Sequence, residues 1–298
     1  MNDKKNETNE IQRSLQEVER RMSQLGVAAL STEISLQSAF QMHLASGGER
    51  IRAKLTLEQG YHLDLHPSIT EPLATAIEVL HQASLIHDDL LDGDQFRRGE
   101  KSVWFAQGTA SAVCLGDALI SQAFDQLTQI PNITHQQLVL LIQTFNQGVC
   151  NMTAGQAFDC AWRPGTEITY SIYESAVRLK SGPLLGFPVA LPLFLSSMKG
   201  INIKHILNVA TDIGIAYQLA DDFQDREEDK GIRLNGYWIL VQEYGQEHEA
   251  ERAMREYFNK YITNATSSLL SLPESCRSSL TSLINRLKNK TLSFQRIT

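Results

Sequence analysis

The chain has 298 residues, 42% of them hydrophobic, and a formal net charge of -7. That is enough apolar material for one large core, and the acidity, with no run of Lys and Arg, argues against a nucleic-acid partner. Charge, Gly or Pro interrupts every hydrophobic run short of the roughly 18 residues of a spanning helix, and Cys114, Cys150, Cys160 and Cys276 show neither metal-ligand spacing nor disulfide density, so a soluble chain in the reduced cytoplasm is expected.

In chain order, Met1 to Glu10 is almost wholly polar and reads as a frayed tail, neither signal peptide nor anchor. Residues 11–298 then read as a single domain. From Glu71 to Asp92 the residues Leu73, Ile77, Leu80 and Leu91 recur at helical spacing with Ser84 on the same stripe; Thr70 is the expected cap, Pro72 falls in the first turn, and Gly93 follows. Gly116, Pro131, Gly148, Pro164-Gly165, Pro183, Pro188 and Pro192 punctuate the middle of the chain. A second long helix is expected from Ile203 to Asp225, with Ile206, Ala210, Ile213, Tyr217, Ala220 and Phe223 on one face. Gly245 to Thr298 reads as two or three amphipathic helices broken near Pro273. Strand signals are poor: no Asn-Gly or Asp-Gly pair joins two strand-like runs. Breaker spacing predicts an all-α architecture of about ten helices.

Each long helix ends in carboxylates. Asp88, Asp89 and Asp92 lie on or beside one helical face, and Asp221, Asp222 and Asp225 repeat the same spacing. Like charges one turn apart repel, and carboxylates set in apolar helix are costly unless paired or metal-bound. Either cluster alone reads equally well as a solvated helix end. Two at equal spacing point to a cage for a hard, oxygen-seeking cation such as Mg²⁺, which takes one or two carboxylates together with waters and substrate phosphates. Bound ions would also reconcile an acidic site with an anionic substrate. Arg97-Arg98 follows the first cluster, and Arg50 and Arg52 follow Gly47-Gly48. Guanidinium groups fork onto phosphate oxygens, and glycines let backbone amides approach them.

Five stretches together resemble the trans-prenyl diphosphate synthase family: Gly47 to Arg52, His81 to Gly99, Gly155-Gln156-Ala157-Phe158-Asp159, Lys180-Ser181 and Gly214 to Asp225. The likeness runs from about residue 30 over nearly the whole chain. It implies the isoprenoid synthase fold, an all-α helical bundle around a deep central cavity, usually as a homodimer. It further implies that Asp88, Asp89, Asp92, Asp221, Asp222 and Asp225 hold Mg²⁺, directly or through water. Arg97, Lys180 and Gln218 would then surround the allylic diphosphate. Arg52, His81 and Arg98 would hold isopentenyl diphosphate, and Gln156 and Ser181 would line the cavity near the developing carbocation. The bulky aromatics that set a floor four or five residues before the first aspartate in the family are replaced here by Ser84 and Ala83, with Leu80 a turn deeper, which implies a product of geranylgeranyl length or longer.

Two departures stand out. Glu49 takes the slot where the family usually has Lys, and a Gly-Lys loop after the second motif is replaced by a shorter run in which Lys230 is the substitute lysine. The implied reaction is an electrophilic alkylation in which diphosphate departs, an allylic cation forms and the double bond of isopentenyl diphosphate attacks it. Two alternatives stay open: a class I terpene cyclase-like enzyme that ionises a prenyl diphosphate without condensing it, which Glu49 favours, and a non-catalytic partner subunit of a prenyl synthase, which the two intact acidic clusters disfavour.

Overall fold

A computed structural model describes residues 2–25, 36–198, 200 and 202–290. The first residues of the family likeness and the end of the chain, 291–298, lie outside them. The described residues gather into two compact units. One runs to Ile142 and takes in Phe194–Ser197; the other comprises Gln143–Leu193 and the described residues from Met198 on. Among the described residues, no helix is long and apolar enough to cross a membrane.

The first unit contains α1 (Asn2–Ser23), α2 (Leu36–Ala45), α3 (Ile51–His62), α4 (Pro67–Asp92), strands β1 (Phe96–Arg97) and β2 (Glu100–Lys101), α5 (Val103–Gln107), α6 (Thr109–Thr128) and the start of α7 (His135–Ala161). Asn2 to Glu10, which composition reads as a polar tail, are helical here. They open α1, whose helix-favouring Glu, Lys and Gln run into a buried stripe of Leu15, Val18 and Met22. α4 is the unit's central helix and packs on α1, α3, α5 and α6. Leu73, Ala74, Ala76, Ile77, Val79, Leu80 and Ala83 are sealed on successive faces, the pattern of a helix buried nearly all round. Leu91, placed on the same stripe by its spacing, is 53% exposed, because the helix emerges there into its acidic end.

α4 begins a turn earlier than the sequence predicts. The cap is His66, whose Nδ1 accepts from the Ser68 N–H at 3.2 Å, with Pro67 in the first helical position. Thr70 is therefore inside the helix. Gly93 closes it in the left-handed conformation (φ 73°), as its position predicts. The small antiparallel hairpin of β1 and β2 went unseen because its turn is Arg98-Gly99, not one of the usual Asn-Gly pairs. Both turn residues have positive φ, 54° and 85°, as a tight primed turn requires.

The second unit holds most of α7, then α8 (Tyr170–Leu195), α9 (Ile203–Gln224), α10 (Arg226–Asp229), α11 (Gly236–Tyr244), α12 (Glu247–Leu269) and α13 (Glu274–Lys290). α9 packs on α11, α12 and α13. Its predicted face is buried except at Tyr217, 40% exposed. α8 runs straight through Pro183, Pro188 and Pro192, which breaker logic had read as ends. Each proline forfeits a helical hydrogen bond at about 3 kcal/mol, but the run from Gly186 to Leu193 is buried throughout, and that packing holds the helix. Gly116 and Gly148 likewise sit inside α6 and α7, at close side-chain crossings with His87 and Phe187. The break between α12 and α13 falls at Leu270–Pro273, as expected.

Candidate active site

In the first unit, Asp88, Asp89 and Asp92 close α4. Asp88 is half-buried and Asp92 exposed, while Asp89, 1% exposed, is clasped by Arg97: Nε donates to both carboxylate oxygens at 2.7 and 2.9 Å, and Nη2 donates to Oδ1. Burial works against the guanidinium's charge, but the hydrogen bonds to Asp89 and the attraction of Asp89, Asp88 and Asp94 together hold Arg97 above its ordinary range. The hairpin turn aims the next residue elsewhere. Arg98 Nη1 donates to the Gly47 carbonyl at 2.5 Å, and Arg50 Nη1 donates to the same oxygen at 3.2 Å. Gly48 makes this approach possible: at φ 135° an added Cβ would stand 2.7 Å from Arg98 Nη1.

A concentration of positive charge results. Burial, then Arg97 and Arg50, pull the Arg98 guanidinium below its usual range. His81 is held well below the ordinary imidazole range by burial, then by Arg52, Arg97 and Arg98, and its sealed Nδ1 has no hydrogen-bond partner among the described residues. An arriving anion would relieve both strains. Glu49, in the middle of this loop, is exposed.

The second unit repeats the acidic arrangement. Asp221 is half-buried, Asp225 exposed, and Asp222, 4% exposed, is locked by three donors: the Tyr173 hydroxyl at 2.5 Å and the Gly236 N–H at 2.6 Å to Oδ2, and Gln218 Nε2 at 2.7 Å to Oδ1. Burial nevertheless pushes the Asp222 carboxyl up to about 7. Asn235 Nδ2 donates to the Asp222 carbonyl and to Asp229 Oδ2, both at 2.8 Å, and its Oδ1 caps α11. Sequence reasoning missed Tyr173 and the Asn235-Gly236 pair. Tyr173 lies seven residues, two helical turns, before Lys180, and that register was the available signal.

Lys180 Nζ donates to Asp159 Oδ2 at 2.7 Å. The contact depends on Gly155, where an added Cβ would fall 2.6 Å from the Lys180 backbone nitrogen, so the α7 and α8 backbones touch at this level. Gly155→Ala is expected to cost about 1–3 kcal/mol as an overpacked crossing and to lower turnover by moving Lys180. Thermal melting read beside steady-state rates checks both. Gln156 Oε1 is buried with no hydrogen-bond partner among the described residues, and Ser181 lies beside Gly214, where α8 meets α9. The substitute lysine is otherwise engaged: Lys230 Nζ stands 4.0 Å over the Trp238 ring and 4.0 Å from Glu247.

On α4, Leu80 and Ala83 are sealed at 2% and 0% exposure, while Ser84 keeps an accessible face and donates to the His81 carbonyl at 2.8 Å. Among the described residues no three His, Cys, Asp or Glu side chains are gathered tightly enough to hold a metal by themselves.

The polyprenyl synthetase family profile matches residues 33–232. The chain belongs to this family. It is accordingly a trans-prenyltransferase with the all-α isoprenoid synthase fold. Its relatives include a farnesyl diphosphate synthase of Haemophilus influenzae, 36% identical over 201 residues that cover 65% of this chain and 68% of that one. Another, from Geobacillus stearothermophilus, is 33% identical over 207 residues, covering 67% and 69%. The fold is shared by a Helicobacter pylori geranyltransferase solved in complex with magnesium and isoprenyl diphosphate, with a TM-score of 0.77 at 23% identity over 94% of this chain and 96% of that one.

Proposed function

We propose that this polyprenyl synthetase family member condenses isopentenyl diphosphate with an allylic diphosphate in a Mg²⁺-dependent reaction, giving a trans-prenyl diphosphate longer than farnesyl. One observation carries the reading: both aspartate motifs lock their middle carboxylate inside the protein and leave a half-buried and an exposed carboxylate one turn apart. This all-oxygen donor set suits Mg²⁺, which asks the protein for only one or two carboxylates per ion and takes the rest from water and phosphate. Asp88, Asp92, Asp221 and Asp225 would bind it, with Asp89 and Asp222 holding the motifs in place or ligating through water. When bound, the ions supply Lewis-acid stabilisation of the departing diphosphate.

The protein's own groups do the rest. Arg97, Lys180 and Gln218, proposed for the allylic diphosphate, are each oriented by a carboxylate: Asp89, Asp159 and Asp222. Donors fixed in advance need no reorganisation as charge builds on the leaving oxygens. The allylic C–O bond breaks with its electron pair leaving on diphosphate, and the double bond of isopentenyl diphosphate supplies the pair for the new C–C bond. The product then loses a proton, for which the released pyrophosphate is the proposed acceptor. Gln156 Oε1 carries partial negative charge and meets no donor among the described residues, the property needed beside a carbocation, with Ser181 proposed alongside it. Arg52, Arg98 and His81 are proposed to hold isopentenyl diphosphate. The family match runs through both compact units, which supports reading 11–298 as one functional domain. All four cysteines are free thiols, in keeping with a cytoplasmic setting, and a homodimer is proposed from the family likeness.

Incubating the purified chain alone with Mg²⁺, isopentenyl diphosphate and dimethylallyl, geranyl or farnesyl diphosphate tests the reading. An elongated diphosphate supports it; a cyclised hydrocarbon, or no product, overturns it. Glu49→Lys is expected to lower the KM for isopentenyl diphosphate about fivefold, since trading repulsion for attraction at short range is worth on the order of 1 kcal/mol at intermediate dielectric. An unchanged KM would mean that Glu49, exposed as it is, points away from the substrate.

A further inference from the structure

One buried carboxylate ties together the elements beneath the arginine-bearing loop. Glu78 stands in the middle of α4 at 2% exposure, where a charge is costly unless partnered. Its Oε1 accepts from Gln82 Nε2 at 2.9 Å, and Gln82 Oε1 in turn meets Nε2 of buried His43 on α2 at 3.0 Å. Its Oε2 accepts the backbone N–H of Ala53 at 3.3 Å. The carboxylate also lies 4.0 Å from the guanidinium of Arg50, which is 8% exposed and 3.8 Å from Glu19 on α1.

These partners meet at the start of α3. Arg50 is its N-cap residue, in the left-handed conformation (φ 50°, ψ 40°), and contributes no capping hydrogen bond. Ala53 is in the first turn, where backbone N–H groups have no helical partner. Glu78 therefore does from α4 what a capping side chain normally does locally, adding negative charge at the positive end of the helix. Arg50 carries the constraint outward, because the Gly47 carbonyl it grips is the one Arg98 grips from the hairpin. Arg52 sits in the same first turn of α3, and His81 lies three residues after Glu78 on α4.

We propose that Glu78 is a positioning residue for the isopentenyl diphosphate subsite, fixing α3 against α4 so that Arg52, Arg98 and His81 act on one diphosphate, a role that rests on this loop's holding that substrate. Arg50 is its intermediary, not a ligand.

Steady-state kinetics of the full chain with Mg²⁺, varying each substrate at saturating levels of the other, test this. Glu78→Gln keeps a neutral acceptor for Ala53 and removes the charge facing Arg50. It is expected to raise the KM for isopentenyl diphosphate about tenfold, the equivalent of 1.4 kcal/mol, with kcat and the allylic KM within about twofold of the parent. A role in folding alone would lower kcat through the active fraction and leave both KM values unmoved, which would overturn the proposal. Should Glu78→Gln fail to fold, Arg50→Met carries the same expectation from the other side of the pair; in the double variant the two effects should not add. Arg98→Ala separates the proposal from the reading beneath it. If Arg98→Ala leaves the isopentenyl KM unchanged, the subsite itself is misplaced and the proposal falls with it. If Arg98→Ala raises that KM while the Glu78 and Arg50 variants do not, the subsite stands and the positioning role falls.

Discussion

Asp88→Asn and Asp221→Asn are each expected to lower turnover by about three orders of magnitude, because the Lewis-acid contribution of the ions they are proposed to bind would be worth several kcal/mol and each 1.36 kcal/mol is tenfold in rate. Their melting temperatures should stay near the parent's, since neither group is sealed in the core. Asp89→Asn and Asp222→Asn should lose comparable activity but melt earlier as well. An amide at position 89 leaves the Arg97 guanidinium half-compensated, at a cost of up to about 3 kcal/mol, the low end for buried pairs because Arg97 keeps 23% of its side chain exposed. An amide at 222 must accept from Tyr173, Gly236 and Gln218 with one oxygen where the carboxylate uses two, so at least one buried donor goes unmet. Rates, circular dichroism and melting curves on the four variants, with and without chelator, read all of this. Near-normal turnover in Asp88→Asn or Asp221→Asn, or a reaction indifferent to chelation, would remove the metal from the mechanism.

The contrast between middle and outer aspartates shows where sequence reading stops. Spacing alone places Asp88, Asp89 and Asp92 together, and it carries the motif to the right end of α4 with Gly93 as its stop. It cannot say which carboxylate turns inward, because that is decided by partners outside the helix: Arg97 on the first strand of a hairpin whose Arg98-Gly99 turn lacks the usual signature, and Tyr173 on α8, the helix before α9. The same limit explains the helix boundaries. Thr70 has the chemistry of a cap, yet His66 captures the first-turn amide because Pro67 sets the helical φ directly after it. The three prolines of α8 carry strong local breaking signals, and only burial of the surrounding turns, a tertiary fact, overrides them. Lys230 matches a family lysine by position alone, and position does not foretell that its ammonium rests on Trp238 beside Glu247. What was legible is what local periodicity and charge can encode: an all-α chain, two long helices delivering carboxylates, and an arginine-rich loop.

Ser84→Tyr is expected to shorten the product by one or more isoprene units, the largest change in product length that a single substitution on α4 should produce. The family likeness offers Ser84, Ala83 and Leu80 together as the floor of the chain-length cavity, but their surroundings differ. Ala83 is fully sealed and Leu80 nearly so, while Ser84 alone of the three keeps an accessible face. A phenol at 84 can extend on the accessible side, where the growing chain is proposed to pass, at the loss of one part-buried hydrogen bond to the His81 carbonyl. Ala83→Tyr must instead force a ring into packed core, at about 1–3 kcal/mol or more, and any shortening should come with a fall in melting temperature. Leu80→Ala opens a cavity costing about 2–5 kcal/mol and should lengthen the product only if that cavity joins the space below Ser84. Chromatography of the dephosphorylated products from all three variants, beside the parent, tests the ordering. If Ser84→Tyr leaves the distribution unchanged, α4 does not carry the floor, and product length is set by a residue on another helix.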